Sequence, residues 1–154
     1  MQVQEFLSQQ NVAFEALEHP PTYDAQRMAQ AVHTPGHEVA KTVLLRAGAN
    51  QAYVVAVLPA DRHVDFGKVG TALGCEAVEL ASERELAVHC PDCEVGALPP
   101  FGSQYGMQTL VDASLAEDEQ IVFEGNTHRE AIRMKFADFQ ELERPLVGSF
   151  VRSH

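Results

Sequence analysis

The chain has 154 residues, 45% hydrophobic and 21% charged, the composition of one globular domain with a core of its own. Its formal net charge of −11, with only 11 Lys and Arg, excludes a protein that clamps duplex DNA or long RNA, because such binding rests on clustered cations. No apolar run reaches the roughly 20 residues of a membrane span, and MQVQEFLSQQ lacks a basic region followed by an apolar one, so no signal peptide, no membrane and no DNA partner are expected, and the cytoplasm is the expected location.

VQEFLSQQN carries Val3, Phe6 and Leu7 at helical spacing and predicts a short amphipathic helix. VAFEALE alternates and predicts a strand, HPPT breaks the chain, and YDAQRMAQAV predicts a second helix with Asp24 at its N-terminal turn. TPGHE reads as a turn. VAKTVLLRAG and AYVVAVLPA flank GANQ and predict a hairpin. The second of these strands is apolar on both faces, which suits a central position. FGKVGTALG predicts a helix ended by Gly74, CEAVEL a short strand, and SERELAVHC a helix opened by a capping box of Ser82 and Glu85. MQTLVDASL, EQIVFEG and EAIRMKF predict strands, ADFQELE a short helix, and LVGSFV closes the chain. Strands outnumber helices without a regular βαβ alternation. The expectation is a single α+β domain over residues 1–154: a mixed, largely antiparallel sheet, curled and barrel-like, flanked by short helices.

Three groups of residues are candidates for chemistry. In VAKTVLLRA, Lys41 shares one strand face with Val39, Val43 and Leu45, while Ala40, Thr42, Leu44 and Arg46 take the other. A lysine among aliphatic neighbours is partly desolvated and can orient a substrate or favour negative charge; the alternative is a strand-end lysine that snorkels to water. The stretch VGALPPFG holds two glycines, two prolines and no charge. Glycine lets a backbone approach a ligand and proline stiffens it, so exposed N–H groups there can hold a developing oxyanion; the alternative is a stiff connector. HCPDC, with Cys90 and Cys93, is a CxxC, but no second CxxC accompanies it and it closes a helix instead of opening one, which speaks against zinc and redox roles. The three cysteines of a chain without a leader read as thiols. No Walker loop and no G-x-S-x-G elbow occur.

The ordered set EHPPTYDA, VAKTVLLRA, ALGCEAVELASEREL, VGALPPFG, LVDASL and IVFEGNTHREAIRMKFADF resembles the YbaK-type aminoacyl-tRNA deacylases, which are related to the editing domain of bacterial prolyl-tRNA synthetases. The resemblance covers nearly the whole chain, about residues 12 to 150. It implies a YbaK-like fold with a cleft, and hydrolysis of the ester that joins a wrong, small amino acid to tRNA. It implies that Lys41 lies in that cleft beside Thr42 and acts by electrostatic positioning. It implies that the G-x-x-x-P loop supplies backbone donors at Gly96 and Ala97, with Leu98, Pro99 and Pro100 walling an aminoacyl pocket. Tyr23, Gly125, Asn126 and His128 complete the expected lining. The attacker implied is water helped by the terminal ribose hydroxyl, with no side-chain nucleophile, no cofactor and no metal. The implied partner is the 3′ end of an aminoacylated tRNA, delivered by an aminoacyl-tRNA synthetase or elongation factor. Phe123 and Glu124 depart from the small polar residue that related deacylases carry before the late glycine. That departure and the acidic charge leave open a non-catalytic binding or regulatory module using the same cleft.

Overall fold

Residues 1–21, 27, 38–48 and 52–153 are described by a computed structural model. In chain order they form α1 (Val3–Gln9), β1 (Glu15–Glu18), β2 (Ala40–Ala47), β3 (Ala52–Pro59), α2 (Phe66–Leu73), β4 (Val78–Leu80) and α3 (Glu83–His89). There follow β5 (Gln108–Asp112), β6 (Gln120–Glu124), β7 (Glu130–Lys135), α4 (Phe136–Glu143) and β8 (Leu146–Gly148), with 3-10 turns at Gly102–Tyr105 and Ala113–Glu117. Apart from Arg27 and Glu38, the helix expected over YDAQRMAQAV, with Tyr23 and Asp24, and the TPGHE turn lie outside the described residues, as does all but Gly48 of GANQ.

Local signals act as the sequence dictates. Asp65 accepts from Lys68 N at 3.0 Å to open α2, and Gly74 closes it at φ +71°. Ser82 and Glu85 exchange side-chain-to-backbone bonds of 3.2 and 3.0 Å to open α3. β3 is buried from Val54 to Pro59 and lies inside its sheet, as its two apolar faces require.

One expectation needs correction. Instead of one curled, barrel-like sheet, the described strands form two sheets, β1-β7-β6 and β4-β2-β3-β5-β8, that meet at a single bridge between Val39 and Val122. Antiparallel pairs predominate, but β3–β5 and β5–β8 are parallel. Hairpin signals report only neighbours in sequence. Parallel pairs need long crossovers, here the stretch holding α2, β4 and α3, and leave no local signal. The strand expected through Ser114 ends at Asp112, whose side chain caps Ser114 N and turns the chain into a 3-10 helix.

The two sheets share one core. Ala40, Val57 and Val111 of the larger sheet pack with Ile121, Phe123, Ile132 and Met134 of the smaller one, around Phe101 and under Val3 and Leu7 of α1. The opposite face of the larger sheet packs Leu45, Val54, Ala56, Leu58 and Leu110 against α2 and the C-terminal Phe150 and Val151.

Candidate active site

The site begins at an interruption in a sheet edge. β4 covers β2 only from Leu45 to Ala47, and Ala81 N reaches Leu44 O at 2.9 Å. At the other end, Glu38 O accepts from Val122 N of β6 at 3.1 Å. Between these contacts the edge from Ala40 to Val43 carries no strand among the described residues. Lys41, Thr42 and Val43 are each partly exposed there.

Alternation then sends the two predicted side chains to opposite faces. Lys41 stands with Val43 on the α2 face, opposite Leu58 across the ladder. It lines a cavity of about 240 Å³ with Val43, Leu58, His63, Val64, Phe66, Leu80 and Arg152. Burial lowers its pKa from the ordinary lysine value, and Asp61 opposes the shift. Thr42 stands on the other face, opposite Val57. Its Oγ1 is buried and has no hydrogen-bond partner among the described residues.

The G-x-x-x-P loop lies on the Thr42 face. Leu98 is 3% exposed and packs with Leu44, Val55, Ala81 and Cys90; Pro99 and Pro100 are buried beside it. Gly96 is exposed and left-handed, at φ +86°, and a Cβ there would come within 3.3 Å of His128 Cε1. Ala97 is not a free donor: its N–H bonds Glu94 O at 3.0 Å and its carbonyl accepts from Asn126 N at 3.2 Å. Gly96 N–H has no acceptor among the described residues. The structure therefore joins Gly96, Ala97, Leu98, Asn126 and His128 in one assembly. Thr42 shares their side of the sheet, and Lys41 lies across the open edge.

A family model described as the aminoacyl-tRNA editing domain matches residues 19–142. The chain belongs to this family. It is 26% identical over 151 residues to the multifunctional Ser/Thr-tRNA deacylase ProXp-y of Escherichia coli, covering 96% of this chain and 89% of that protein. It is also 26% identical over 127 residues to prolyl-tRNA synthetase associated domain-containing protein 1 of Danio rerio, covering 82% and 67% respectively. The solved structure of a candidate trans-editing enzyme for prolyl tRNA synthetase superposes with a TM-score of 0.87 at 20% identity, over 98% of this chain and 95% of that one, which establishes a shared fold.

In this editing domain the turn after β6 acts as a clamp on the loop. Asn126 is fully buried at φ +74°. Its Oδ1 accepts from Val3 N at 2.8 Å, and its Nδ2 reaches Asp92 O at 3.4 Å and Cys93 Sγ at 3.3 Å. Its carbonyl accepts from Glu94 N at 2.8 Å. Asn126 thus spends its side chain inward, holding α1 and the loop. Gly125 is likewise packed inside: a Cβ would meet Ile132 Cγ1 at 3.3 Å. His128 Nε2 lies 2.5 Å from Val95 O, and Nδ1 lies 3.0 Å from Glu124 Oε2. A carbonyl oxygen only accepts, so Nε2 donates its proton to Val95 O.

Sequence reasoning missed Glu124 as a partner. The i, i+4 spacing to His128 was visible, but only a turn placed between them brings the two groups together. It also left Cys93 without a role, where the structure puts Sγ 3.2 Å from Tyr105 Oη, against the clamp. Burial pushes the Cys93 thiol up to about 11 and that of Cys90 up to about 12, so both stay protonated at neutral pH. Among the described residues no three His, Cys, Asp or Glu groups gather to hold a metal, and no helix is long and apolar enough to cross a membrane.

Proposed function

We propose that this chain hydrolyses the ester joining a small amino acid to the 3′ end of mischarged tRNA. The observation that carries the reading is Gly96: an exposed, left-handed glycine whose N–H has no acceptor among the described residues, beside His128 and the clamp. The ester carbonyl oxygen takes that N–H, which strengthens as the oxygen becomes negative. Ala97 holds the loop's shape instead of donating. Water attacks the carbonyl carbon with help from the neighbouring ribose hydroxyl. The tetrahedral intermediate collapses, the carbon–oxygen bond to the ribose breaks, and the ribose oxygen takes the proton. Amino acid and tRNA leave.

Thr42 Oγ1, buried without a partner among the described residues, supplies a polar contact for the aminoacyl group, and Leu98, Pro99 and Pro100 restrict its size. A Ser/Thr-tRNA deacylase among the relatives fits a small side chain. Gly125 and Asn126 support this pocket through packing, and Tyr23 keeps the lining role that the resemblance implies for it. Lys41 stands across the open edge, where the same nucleotide presents its phosphate, and positions it. The acidic surface favours delivery by an aminoacyl-tRNA synthetase or elongation factor in the cytoplasm. The second reading, a binding module without turnover, is favoured by the commitment of Ala97 N–H to Glu94 O.

A deacylation panel separates the two. Purified protein meets tRNA charged with cysteine, alanine, serine, threonine or proline. Rapid release of one amino acid is expected, slowed by about tenfold or more in Lys41→Ala. Equal, background release of all five by both folded proteins would favour the binding module.

A further inference from the structure

Val95 C=O and Gly96 N–H belong to one peptide group. That peptide is trans, so the two bonds point in opposite directions, and whatever holds the carbonyl also aims the N–H. Gly96 stands at φ +86°, but glycine takes either sign of φ at similar cost, so its own backbone does not decide which way the peptide faces. The rest of the loop does not decide it either. Glu94 N bonds Asn126 O at 2.8 Å, Ala97 N bonds Glu94 O at 3.0 Å, and Asn126 N bonds Ala97 O at 3.2 Å. These bonds hold the peptide groups on both sides of Val95–Gly96 and leave that one alone. Among the described residues, the hydrogen bond that reaches it comes from His128, whose Nε2 lies 2.5 Å from Val95 O. The ring lies against Gly96: the Cβ that glycine lacks would come within 3.3 Å of Cε1 and 3.7 Å of Nε2. The β6–β7 hairpin in turn places the ring. Glu124 ends β6 opposite Ala131, Gly125 N bonds Glu130 O at 2.9 Å, and the turn between the strands brings His128 back beside Glu124. Glu124 Oε2 then lies 3.0 Å from Nδ1, with both side chains buried. A carboxyl group on the Nδ1 side and a carbonyl on the Nε2 side fix the rotation of the ring, because a flipped imidazole would turn C–H groups toward both oxygens.

We propose that His128, braced by Glu124, is a positioning residue that turns Gly96 N–H toward the ester by holding the carbonyl of the same peptide. The assignment rests on the proposed use of Gly96 N–H as the donor to the ester oxygen. It moves His128 from the pocket lining that the resemblance implies to an indirect part, and it gives a part to Glu124, a residue at which the chain departs from related deacylases. The bond to Val95 O has a second effect. A peptide whose carbonyl accepts a hydrogen bond is polarised, and its N–H becomes the stronger donor. Both effects count most when the ester oxygen carries negative charge, so they act on kcat and leave KM alone.

The test compares variants on the aminoacyl-tRNA that the deacylation panel selects. His128→Leu removes the donor to Val95 O, and His128→Gln keeps an N–H in reach of it. Glu124→Leu removes the brace, and Glu124→Gln keeps a polar partner for Nδ1. His128→Leu is expected to lower kcat about a hundredfold with KM changed less than about twofold, the cost of turning away an oxyanion donor. His128→Gln should recover kcat to within about tenfold of the parent, and Glu124→Leu should lose more than Glu124→Gln. A second readout needs no substrate. In isotope-labelled protein, a triple-resonance spectrum joins Gly96 N–H to the carbonyl carbon of Val95, which resonates downfield while the oxygen accepts a hydrogen bond. That carbon should move upfield in His128→Leu and stay in place in His128→Gln. A folded His128→Leu protein with the native kcat would overturn the assignment. If its KM alone were raised, the ring would be a direct contact of the bound substrate. Equal losses of kcat in His128→Leu and His128→Gln, with the Val95 carbon unmoved in both, would overturn it as well. A parent protein that releases no amino acid, with the Val95 carbon displaced in His128→Leu alone, would keep His128 as the group that aims the N–H and sink the proposed reaction.

Discussion

Half-burial of an ammonium costs free energy, and at Lys41 the cost has a measurable sign. Desolvation lowers its pKa in the folded protein below the ordinary value of 10.5. The unfolded chain therefore keeps this proton to higher pH than the folded one. Below the folded pKa both states carry the charge and the folded state bears the full penalty. As pH rises through the folded value toward the unfolded one, the penalty disappears. Lys41→Met should thus raise stability by about 0.5–1 kcal/mol near pH 7, with the gain shrinking as the pH climbs past the folded pKa. Urea titrations of both proteins across that pH range measure it. The same substitution should slow deacylation in the panel. A gain in stability beside a loss of activity marks a residue kept for use; a loss in both would make Lys41 a structural contact.

At the scale of elements, the loop and the turn after β6 form one unit, and its keystone is a residue in a backbone region that asparagine tolerates and alanine resists. Asn126→Ala loses the acceptor for the buried Val3 N–H, at about 1–3 kcal/mol, and adds left-handed strain of about 1–2 kcal/mol. Asn126→Gly loses the same bonds without the strain. The glycine variant should be the more stable of the two by about 1 kcal/mol in thermal denaturation, and equal stabilities would mean that the φ of +74° does not select the residue. This unit was only half legible in the sequence. The glycines, the prolines and GNTHRE stood out as motifs, and alternation gave the face of Lys41 correctly. Which face the loop covers depends on Leu98 meeting Leu44 and Val55, a contact between distant segments. That Ala97 N–H is consumed depends on a turn closed by Glu94, and no composition signal distinguishes a committed donor from a free one.

At the scale of the molecule, caps and strands were legible because each is written in four to eight consecutive residues, as at Ser82 and Glu85. The division into two sheets was not, since it follows from parallel pairs between β3, β5 and β8 and from how Phe101 is shared. Phe101 is fully buried at the end of the G-x-x-x-P loop, with ring centroids 5.3 Å from Phe6, 5.8 Å from Phe123 and 5.5 Å from Phe139. It therefore touches α1, the smaller sheet and α4 at once, while its cluster includes Val57 and Val111 of the larger sheet. Two sheets that share a core through one ring cannot open independently at low cost. Phe101→Leu should remove about 1–2 kcal/mol of packing and edge-to-face contact. If the core is single, the most protected amides of β3 and of β7 should lose that free energy equally in native-state hydrogen exchange. A loss confined to β7 would show that the smaller sheet unfolds by itself. The loop would then hang between two separately stable halves, and the geometry at Gly96 would depend on how those halves dock instead of on one folded core.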